Sequence, residues 1–511
     1  MTGILPPAPL AESDRRSPAT RPSSIEPIIA GFHPDPSICR VGGDYYLVNS
    51  SFEYWPGVPV WHSTDLVRWE QIGNALSVDE AAAGTSVASG GIYAPTIRHH
   101  DGRFWIITTD VGNGGGQIVV SAVDPRGPWS APLRLEGLVG IDPDLAWDGD
   151  DCLVTFCATS GPVTGIAQAR VDLGTGRVLE TPRALWAGAG LAYPEAPHLY
   201  EREGWWYLVL AEGGTERGHG VTVARSASPR GPFEGHPRNP ILSHRSTTHP
   251  VQNTGHADLV QREDGEWAAV YLGVRPRGMT PMFHVNGRET FLAGVRWEDG
   301  WPVFDEERYD IPVRDRSFEE TFAGALHPRW VSPGAPVLQQ LTRSDDGARV
   351  HAVDGAGQTP SAIVARVTDH RWTFTAEIDD VTGTAVVLVR LDDAHSAEVR
   401  VADGRASTAL RIGPIAQDLT APVPVSDGPV LVGIRSVASE TSGPDDLEFW
   451  AESGGVRHAL GRTDGRYLST EVAGGFTGRV VGIRAIDGSF RVGCVTYTGF
   501  DAHDAEACAP R

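Results

Sequence analysis

One sequence phrase occurs five times in the first three hundred residues of this 511-residue chain. Each copy has a polar or acidic start, an apolar residue, a turn with Gly, and then an aromatic or β-branched run. The copies begin at residues 33, 93, 141, 193 and 255. An Asp-Gly-like turn between two short strands is typical of a β-hairpin, because a two-residue connection needs positive φ. Since each repeat has room for two more strands, the pattern predicts a five-bladed β-propeller over residues 27–313, with an irregular β-sandwich as the alternative.

The repeat stops after residue 313, and a different strand pattern follows. Segments 372–378, 384–391, 430–435 and 480–486 alternate apolar with polar side chains and are separated by Gly/Asp turns. They predict an antiparallel β-sandwich of the jelly-roll or lectin-like kind over residues 314–511. Residues 1–26, rich in Pro, Ser, Ala and Arg, are predicted to be a disordered segment. The fold class predicted for the whole chain is all-β.

The charged residues exclude several kinds of chemistry. All 43 basic side chains are arginine, and 65 carboxylates leave a net charge of −22. Without lysine, Schiff-base enzymes, pyridoxal phosphate enzymes, P-loop NTPases and protein kinases are excluded. An acidic chain is a poor partner for nucleic acid, because phosphate binding requires a concentrated basic surface. A neutral ligand such as a sugar remains compatible with this composition.

The cysteines and the first residues indicate the compartment. The five cysteines form neither a C-x-x-C pair nor a zinc-like spacing, and we interpret them as free thiols. Residues 1–26 lack the apolar stretch of a signal peptide, and no later segment approaches a membrane span. We therefore expect a cytoplasmic protein without a membrane partner.

The repeat also brings acidic residues to equivalent positions. The phrases align on one apolar residue each: Ile38, Ile97, Leu145, Leu199 and Leu259. Three positions earlier stand Asp35, Ala94, Asp142, Ala196 and His256, with Glu195 next to Ala196. Equivalent positions in successive blades surround the central axis, so the three carboxyl groups and the histidine should meet at one mouth of the channel. Three carboxyls without a nucleophile elbow or metal cluster indicate acid/base hydrolysis of an acetal.

Several phrases, in this order along the chain, resemble family 43 glycoside hydrolases. They are Gly31-Phe-His-Pro-Asp-Pro-Ser-Ile, Ser89-Gly-Gly-Ile-Tyr-Ala-Pro, Gly140-Ile-Asp-Pro-Asp-Leu, Pro194-Glu-Ala-Pro-His-Leu-Tyr, Ala211-Glu-Gly-Gly-Thr, Gly255-His-Ala and Gly287-Arg-Glu-Thr. The resemblance extends over residues 27–511. It is to the branch of β-xylosidases and α-L-arabinofuranosidases that carries a C-terminal sandwich.

This resemblance implies a role for each acidic residue. Asp35 matches the general base of an inverting hydrolase, and Glu195 matches the general acid. Asp142 matches the third carboxylate, which orients the acid and, by staying ionised, raises its pKa. Arg288 matches an arginine that holds sugar hydroxyls near Asp142. The alternative for Arg288 is a surface ion pair with Glu289.

Aromatic residues are candidates for the wall of the sugar pocket. Phe52, Trp55 and Tyr93 could stack on sugar C–H surfaces, and the alternative for each is core packing. The sandwich in this branch is thought to lend the pocket a loop that enforces action on chain ends, and Phe476 is our candidate for it. Where many relatives have Trp and Asp, this chain has Tyr93 and Thr96.

One histidine raises the question of a metal. His256 matches a central-channel histidine that contacts water or a cation such as calcium in some relatives. A hydrogen-bonded structural role is the alternative, and one ligand does not define a metal site. No cofactor is required for the predicted reaction, and a structural calcium ion in the channel is left open.

The predicted function is release of β-D-xylose from the non-reducing ends of short xylo-oligosaccharides. The first alternative is an α-L-arabinofuranosidase acting on arabinoxylan or arabinan oligosaccharides. A carbohydrate-binding propeller without catalysis and a retaining fructan or sucrose hydrolase are further alternatives. The expected partner is a small oligosaccharide, and self-association through the sandwich is left open.

Overall fold

A computed structural model describes residues 25–77, 87–113, 115–344, 347–353 and 360–502. The segment expected to be disordered therefore lies outside the described residues up to residue 24. Its last two residues are described and contact the rest of the chain: Ile25 packs against a hydrophobic cluster, and Glu26 Oε2 lies 3.5 Å from Arg275 Nη1. Cys508 also lies outside the described residues, and the other four cysteines are free.

The chain up to Asp305 forms four antiparallel sheets. The first sheet comprises Ser37–Val41, Asp44–Val48, Gly57–Ser63 and Glu70–Leu76. The second comprises Ile92–His100, Arg103–Asp110, Gly116–Ala122, Leu133–Asp148, Asp151–Ala158, Gly165–Asp172, Arg177–Val178 and Arg183–Trp186. The third comprises Glu195–Arg202, Trp205–Glu212, Gly220–Ser226 and Glu234–Gly235. The fourth comprises Gln252–Gln261, Trp267–Val274, Glu289–Glu298 and Trp301–Asp305.

All five repeated phrases form the hairpins that the sequence predicts. Their turns have the expected backbone: Asp101 and Gly102 have φ of 50° and 70°, and Glu203 and Gly204 have φ of 54° and 78°. Five hairpins give four sheets because one strand, Leu133–Asp148, belongs to two neighbouring units. Its residues 133–139 pair with Gly116–Ala122, and its residues 140–148 pair with Asp151–Ala158.

The second part of the chain is a thirteen-stranded antiparallel assembly. Its strands are Phe318–Glu320, Leu341–Ser344, Gly347–His351, Ile363–Arg366, Trp372–Arg390, His395–Ala402, Arg405–Ile412, Ile415–Asp418, Val423–Pro424, Val430–Val437, Asp446–Ser453, Val456–Asp464 and Val480–Gly499. Burial alternates along the first part of Trp372–Arg390, where Phe374, Ala376 and Ile378 are buried, whereas all of residues 385–390 are buried. These three residues and side chains from the far half of the same strand lie in one core cluster, so the assembly encloses a single core.

Helix is minor, and the all-β prediction is confirmed. Within the described ranges there is one α-helix, Thr470–Ala473, and there are three short 3-10 helices, Val111–Asn113, Val337–Gln339 and Gly465–Leu468. No helix in the described part of the chain is long and apolar enough to cross a membrane.

The two parts share a hydrophobic cluster that positions the candidate site. Phe32, Phe52 and Tyr54 of the first part pack with sandwich residues that include Val364 and Leu388. Tyr93 and Phe476 pack against this cluster from the two sides. A loop of the sandwich is thereby held next to the predicted catalytic residues.

Candidate active site

Four of the five aligned positions of the repeat share one backbone conformation. Asp35, Asp142, Ala196 and His256 have φ of 54°, 55°, 51° and 49°, in the left-handed region that non-glycine residues seldom adopt. In the second, third and fourth sheets the strand register shifts at these positions through a β-bulge. A bulge redirects a side chain out of the regular alternation. It also explains why the acid of the third sheet, Glu195, stands one position before the aligned residue Ala196.

Asp35 is buried and fully hydrogen-bonded. Its Oδ2 accepts from Ser50 Oγ at 2.5 Å, and its Oδ1 accepts from Arg288 Nη1 at 3.1 Å. The Nδ1 atom of His256 lies 3.4 Å from the same Oδ1. Burial alone would raise the pKa of Asp35, but Arg288, His256 and the Ser50 hydrogen bond together hold it below its usual 3.8. Asp35 is therefore ionised at neutral pH, as a general base must be.

Asp142 and Glu195 form a coupled pair of carboxyls with the opposite behaviour. Burial and the negative charges of Glu195 and Asp35 raise the pKa of Asp142 well above its usual range, although Ala196 N–H donates to its Oδ2 at 3.2 Å. Burial and the charge of Asp35 raise the pKa of Glu195 to about 7. Ionising both acids would place two negative charges next to each other in a buried site, which is unfavourable. The pair therefore retains a proton at neutral pH. The sequence interpretation differs for this pair, because it expects Asp142 to stay ionised and Glu195 to hold the proton.

Arg288 connects the base to the aromatic wall. It is buried, and its Nη1 donates to Asp35 Oδ1 and, at 3.0 Å, to Thr215 Oγ1. The surface ion pair with Glu289 is wrong, because Glu289 is buried and accepts from Arg275 Nε at 2.7 Å. Arg288 hydrogen-bonds to Asp35, and it is also close enough to Asp142 for its positive charge to oppose the rise in the pKa of that carboxyl.

Three of the four predicted aromatic residues lie together. The ring of Phe476 stacks on Phe52 with centroids 6.0 Å apart and meets Tyr93 edge-on at 5.9 Å. The Arg288 guanidinium lies 5.8 Å from the Phe52 centroid and 5.4 Å from that of Phe476. Trp55 is not part of this group. It packs against the cluster between the first two sheet units, and its backbone N–H donates to Ser332 O at 2.9 Å.

A second polar ring lies deeper in the same channel and was missed from the sequence. Arg98 donates to Asp144 at 2.7 Å, to Asp258 at 2.8 Å, and contacts His198 Nδ1 at 3.1 Å. Ser37 Oγ donates to Asp258 at 2.6 Å. Except for Arg98, these residues stand one position before the aligned apolar residues, whereas the predicted site residues stand three positions before them. The polar residue types at this second set of equivalent positions are the signal that identifies them.

Two further neighbours of the catalytic groups were also missed. Ser50 binds Asp35, and Thr215 binds Arg288. Thr215 belongs to the phrase Ala211-Glu-Gly-Gly-Thr, which was noted without a role for this residue. No local signal distinguishes Ser50 from the adjacent Ser51.

The donors around His256 do not fit a calcium ion. Calcium prefers six to eight oxygen ligands. His256 has Asp35 as its carboxylate neighbour, and that carboxylate is already paired with Arg288. Deeper in the channel, the Arg98 guanidinium pairs with both Asp144 and Asp258. Among the described residues, no group of three or more His, Cys, Asp or Glu could hold a metal ion.

Comparison with known proteins gives the same assignment for both parts of the chain. The model of glycosyl hydrolases family 43 matches residues 25–302, and that of the beta xylosidase C-terminal concanavalin A-like domain matches residues 319–503. The non-reducing end alpha-L-arabinofuranosidase BoGH43B of Bacteroides ovatus is 36% identical over 491 residues, which is 90% of each chain. A xylosidase/arabinosidase of Butyrivibrio fibrisolvens is 44% identical over 58% of this chain and 62% of its own length.

Solved structures agree over nearly the whole length. Bacteroides ovatus Xyloglucan PUL GH43B superposes with a TM-score of 0.81 at 33% identity, over 92% of this chain and 98% of that one. A xylan beta-1,4-xylosidase from Bacillus halodurans C-125 gives a TM-score of 0.83 at 26% identity, over 92% and 99%. These matches define the class of the protein as a glycoside hydrolase. Its all-β scaffold brings together carboxyl groups of the kind that act as acid and base in this class, and a concanavalin A-like domain follows it. The chain belongs to glycoside hydrolase family 43, which confirms the resemblance found in the sequence.

Proposed function

We propose that this protein is an exo-acting, inverting glycoside hydrolase that releases β-D-xylose from the non-reducing ends of short xylo-oligosaccharides. The observation that carries the proposal is the opposite protonation of neighbouring carboxyls: Asp35 is kept ionised, whereas the pair of Asp142 and Glu195 retains a proton. Such a difference assigns base and acid within one pocket.

The proposed reaction uses each group once. Asp35 removes a proton from water, and the oxygen of that water attacks the anomeric carbon. Glu195 donates its proton to the leaving oxygen as the glycosidic bond breaks. Asp142 accepts from the backbone N–H of Ala196, next to Glu195, and shares with Glu195 the proton that the pair retains. Arg288 and the rings of Phe52 and Phe476 bind the sugar, and the sandwich loop closes the pocket beyond its terminal residue.

An α-L-arabinofuranosidase is the second candidate, because a relative of that name aligns with 90% of this chain. Both sugars are neutral pentoses, so the same acid/base groups serve either. Turnover of aryl β-D-xyloside and aryl α-L-arabinofuranoside should be compared, with the first anomer released followed by NMR. We expect the first sugar released to have the anomeric configuration opposite to that of the substrate. Retention of configuration, or cleavage of neither compound, would contradict the proposal.

The scaffold that we infer for residues 27–313 is a five-bladed propeller. Five hairpins support it, and dividing the long strand Leu133–Asp148 at Gly140 yields five units. Four of them have four strands, and the third has five, because Arg177–Val178 and Arg183–Trp186 both pair with Gly165–Asp172. A cytoplasmic location, the lack of a membrane or nucleic-acid partner and self-association remain predictions.

The pH dependence of kcat/KM follows from the pKa shifts. The base requires an ionised Asp35, so activity is lost only as pH falls through a pKa below 3.8. The acid requires the proton of the Asp142 and Glu195 pair, so activity falls as pH rises through about 7. We expect an alkaline limb that Glu195→Gln removes, measured by initial rates on an aryl pentoside. An unchanged alkaline limb in that variant would contradict the assignment of the acid.

A further inference from the structure

Ser89 links the two domains at the edge of the aromatic wall. Its Oγ accepts from the backbone N–H of Phe476, 387 residues away, at 2.8 Å. Its carbonyl oxygen accepts from the Tyr93 hydroxyl at 2.7 Å. Its own N–H donates to Glu53 Oε2 at 3.0 Å. One residue thus contacts a pocket ring from each domain and a buried carboxyl beside Phe52.

The loop of the sandwich comes very close to Ser89. A Cβ atom on Gly475 would overlap Ser89 Oγ, so only glycine permits this approach. Phe476 is held by two hydrogen bonds, from its N–H to Ser89 and from Arg288 to its carbonyl oxygen at 3.5 Å. The shorter of the two is the one to Ser89.

The base of the loop is attached elsewhere, independently of Ser89. Glu471 accepts from the backbone N–H of His284 at 3.0 Å and pairs with its ring at 2.7 Å. The N–H of Arg479 donates to Val285 O at 2.9 Å. These contacts keep the loop on the propeller, whereas the contact with Ser89 sets the position of the Phe476 backbone itself.

Glu53 stabilises the backbone of Ser89. The Glu53 side chain is buried, and burial raises its pKa to about 7 against the opposing charge of Arg390 from the sandwich. Ser89 has a φ of 59°, a conformation that serine adopts at a cost. The hydrogen bond from its N–H to a buried carboxyl stabilises that conformation.

We propose that Ser89 is a positioning residue that fixes Phe476 and Tyr93 around Phe52, so that the sandwich domain supplies one wall of the sugar pocket. Its role for substrate rests on the proposed function. Its role in holding the loop does not, because the hydrogen bonds are independent of what the pocket binds.

The experiment uses the full chain with Ser89→Ala, which removes the Oγ acceptor and leaves the backbone groups in place. Amide hydrogen exchange should accelerate about ten-fold or more at Phe476, because its N–H loses its partner. On an aryl pentoside that the wild type cleaves, KM should rise about five- to ten-fold and kcat should change less. The reason is that one hydrogen bond fixes the position of the aromatic wall that binds the sugar. Ser77→Ala, at an exposed serine directly after the last strand of the first sheet, is the matched control.

A double-mutant cycle separates positioning from a general structural effect. If Ser89 acts through Phe476, adding Ser89→Ala to Phe476→Ala should change KM by less than about two-fold. Thermal unfolding of each variant verifies that it is folded. Three results would each overturn the proposal. They are an amide exchange rate at Phe476 in Ser89→Ala equal to that of the wild type, an unchanged KM in that variant, and fully additive effects of the two substitutions on KM. If the wild type cleaves no pentoside, the proposed function fails, whereas the exchange result still decides whether Ser89 holds the loop.

Discussion

Asp35→Asn is expected to lower kcat by about 10³- to 10⁴-fold on every substrate of this enzyme, because general-base catalysis at this position is lost. Asparagine has nearly the same shape as aspartate: its amide oxygen can still accept from Arg288, and its NH2 group can donate to the Ser50 hydroxyl. It cannot, however, remove a proton from water. The loss should be the same for aryl glycosides and for xylobiose, since both require attack by water. Initial rates on the two substrates measure it.

The control for this experiment is Asp264→Asn, at an exposed aspartate in the hairpin turn of the fourth sheet. It should retain wild-type rates. Binding of free pentose to Asp35→Asn, followed by calorimetry, verifies that the pocket is intact. A fall in kcat of less than about ten-fold would mean that another group removes the proton from water.

Glu195→Ala should separate substrates by their leaving groups. Departure of a sugar alkoxide from xylobiose needs a proton, so kcat on xylobiose should fall about 10³- to 10⁴-fold. A dinitrophenolate leaves without a proton, and the loss on the dinitrophenyl glycoside should be about ten-fold or less. The ratio of the two rates is therefore the measurement that identifies the acid.

The contrast with Asp35→Asn is the internal control for this second prediction. Loss of the base is independent of the leaving group, whereas loss of the acid depends on it. An equal loss on both substrates in Glu195→Ala would contradict the role of Glu195 as the acid. In that case Asp142, the other member of the coupled pair, would be tested next with the same two substrates.

Much of the site could be predicted because its residues occupy equivalent places in a repeat. The alignment on five apolar residues selects Asp35, Asp142 and His256 directly and places Glu195 next to Ala196. Asp35, Asp142, Ala196 and His256 all have the same left-handed backbone in the structure. Hairpin formation depends on turn chemistry and alternation over a few residues, which is why all five hairpins could be predicted.

The contacts of those residues could not be predicted in the same way. Arg288 is 253 residues from Asp35, and the sequence interpretation, which placed Arg288 near Asp142, did not include its hydrogen bond to Asp35. Trp55 is an aromatic residue three positions after Phe52, but it packs in a different cluster. Whether an aromatic side chain lines a pocket or a core depends on which distant segment covers it.

The sequence by itself determined the hairpins, the all-β class and the family, and it selected three carboxyl residues as candidates, because these depend on local hydrogen bonding and on periodic patterns. The tertiary structure decided that one long strand joins two units, that Arg288 pairs with Asp35, and that burial and neighbouring charges raise the pKa values of Asp142 and Glu195. It also decided that a sandwich loop is bound to Ser89. Protonation and pairing depend on burial and on charges from distant segments, and these exist only once the chain has closed around its channel.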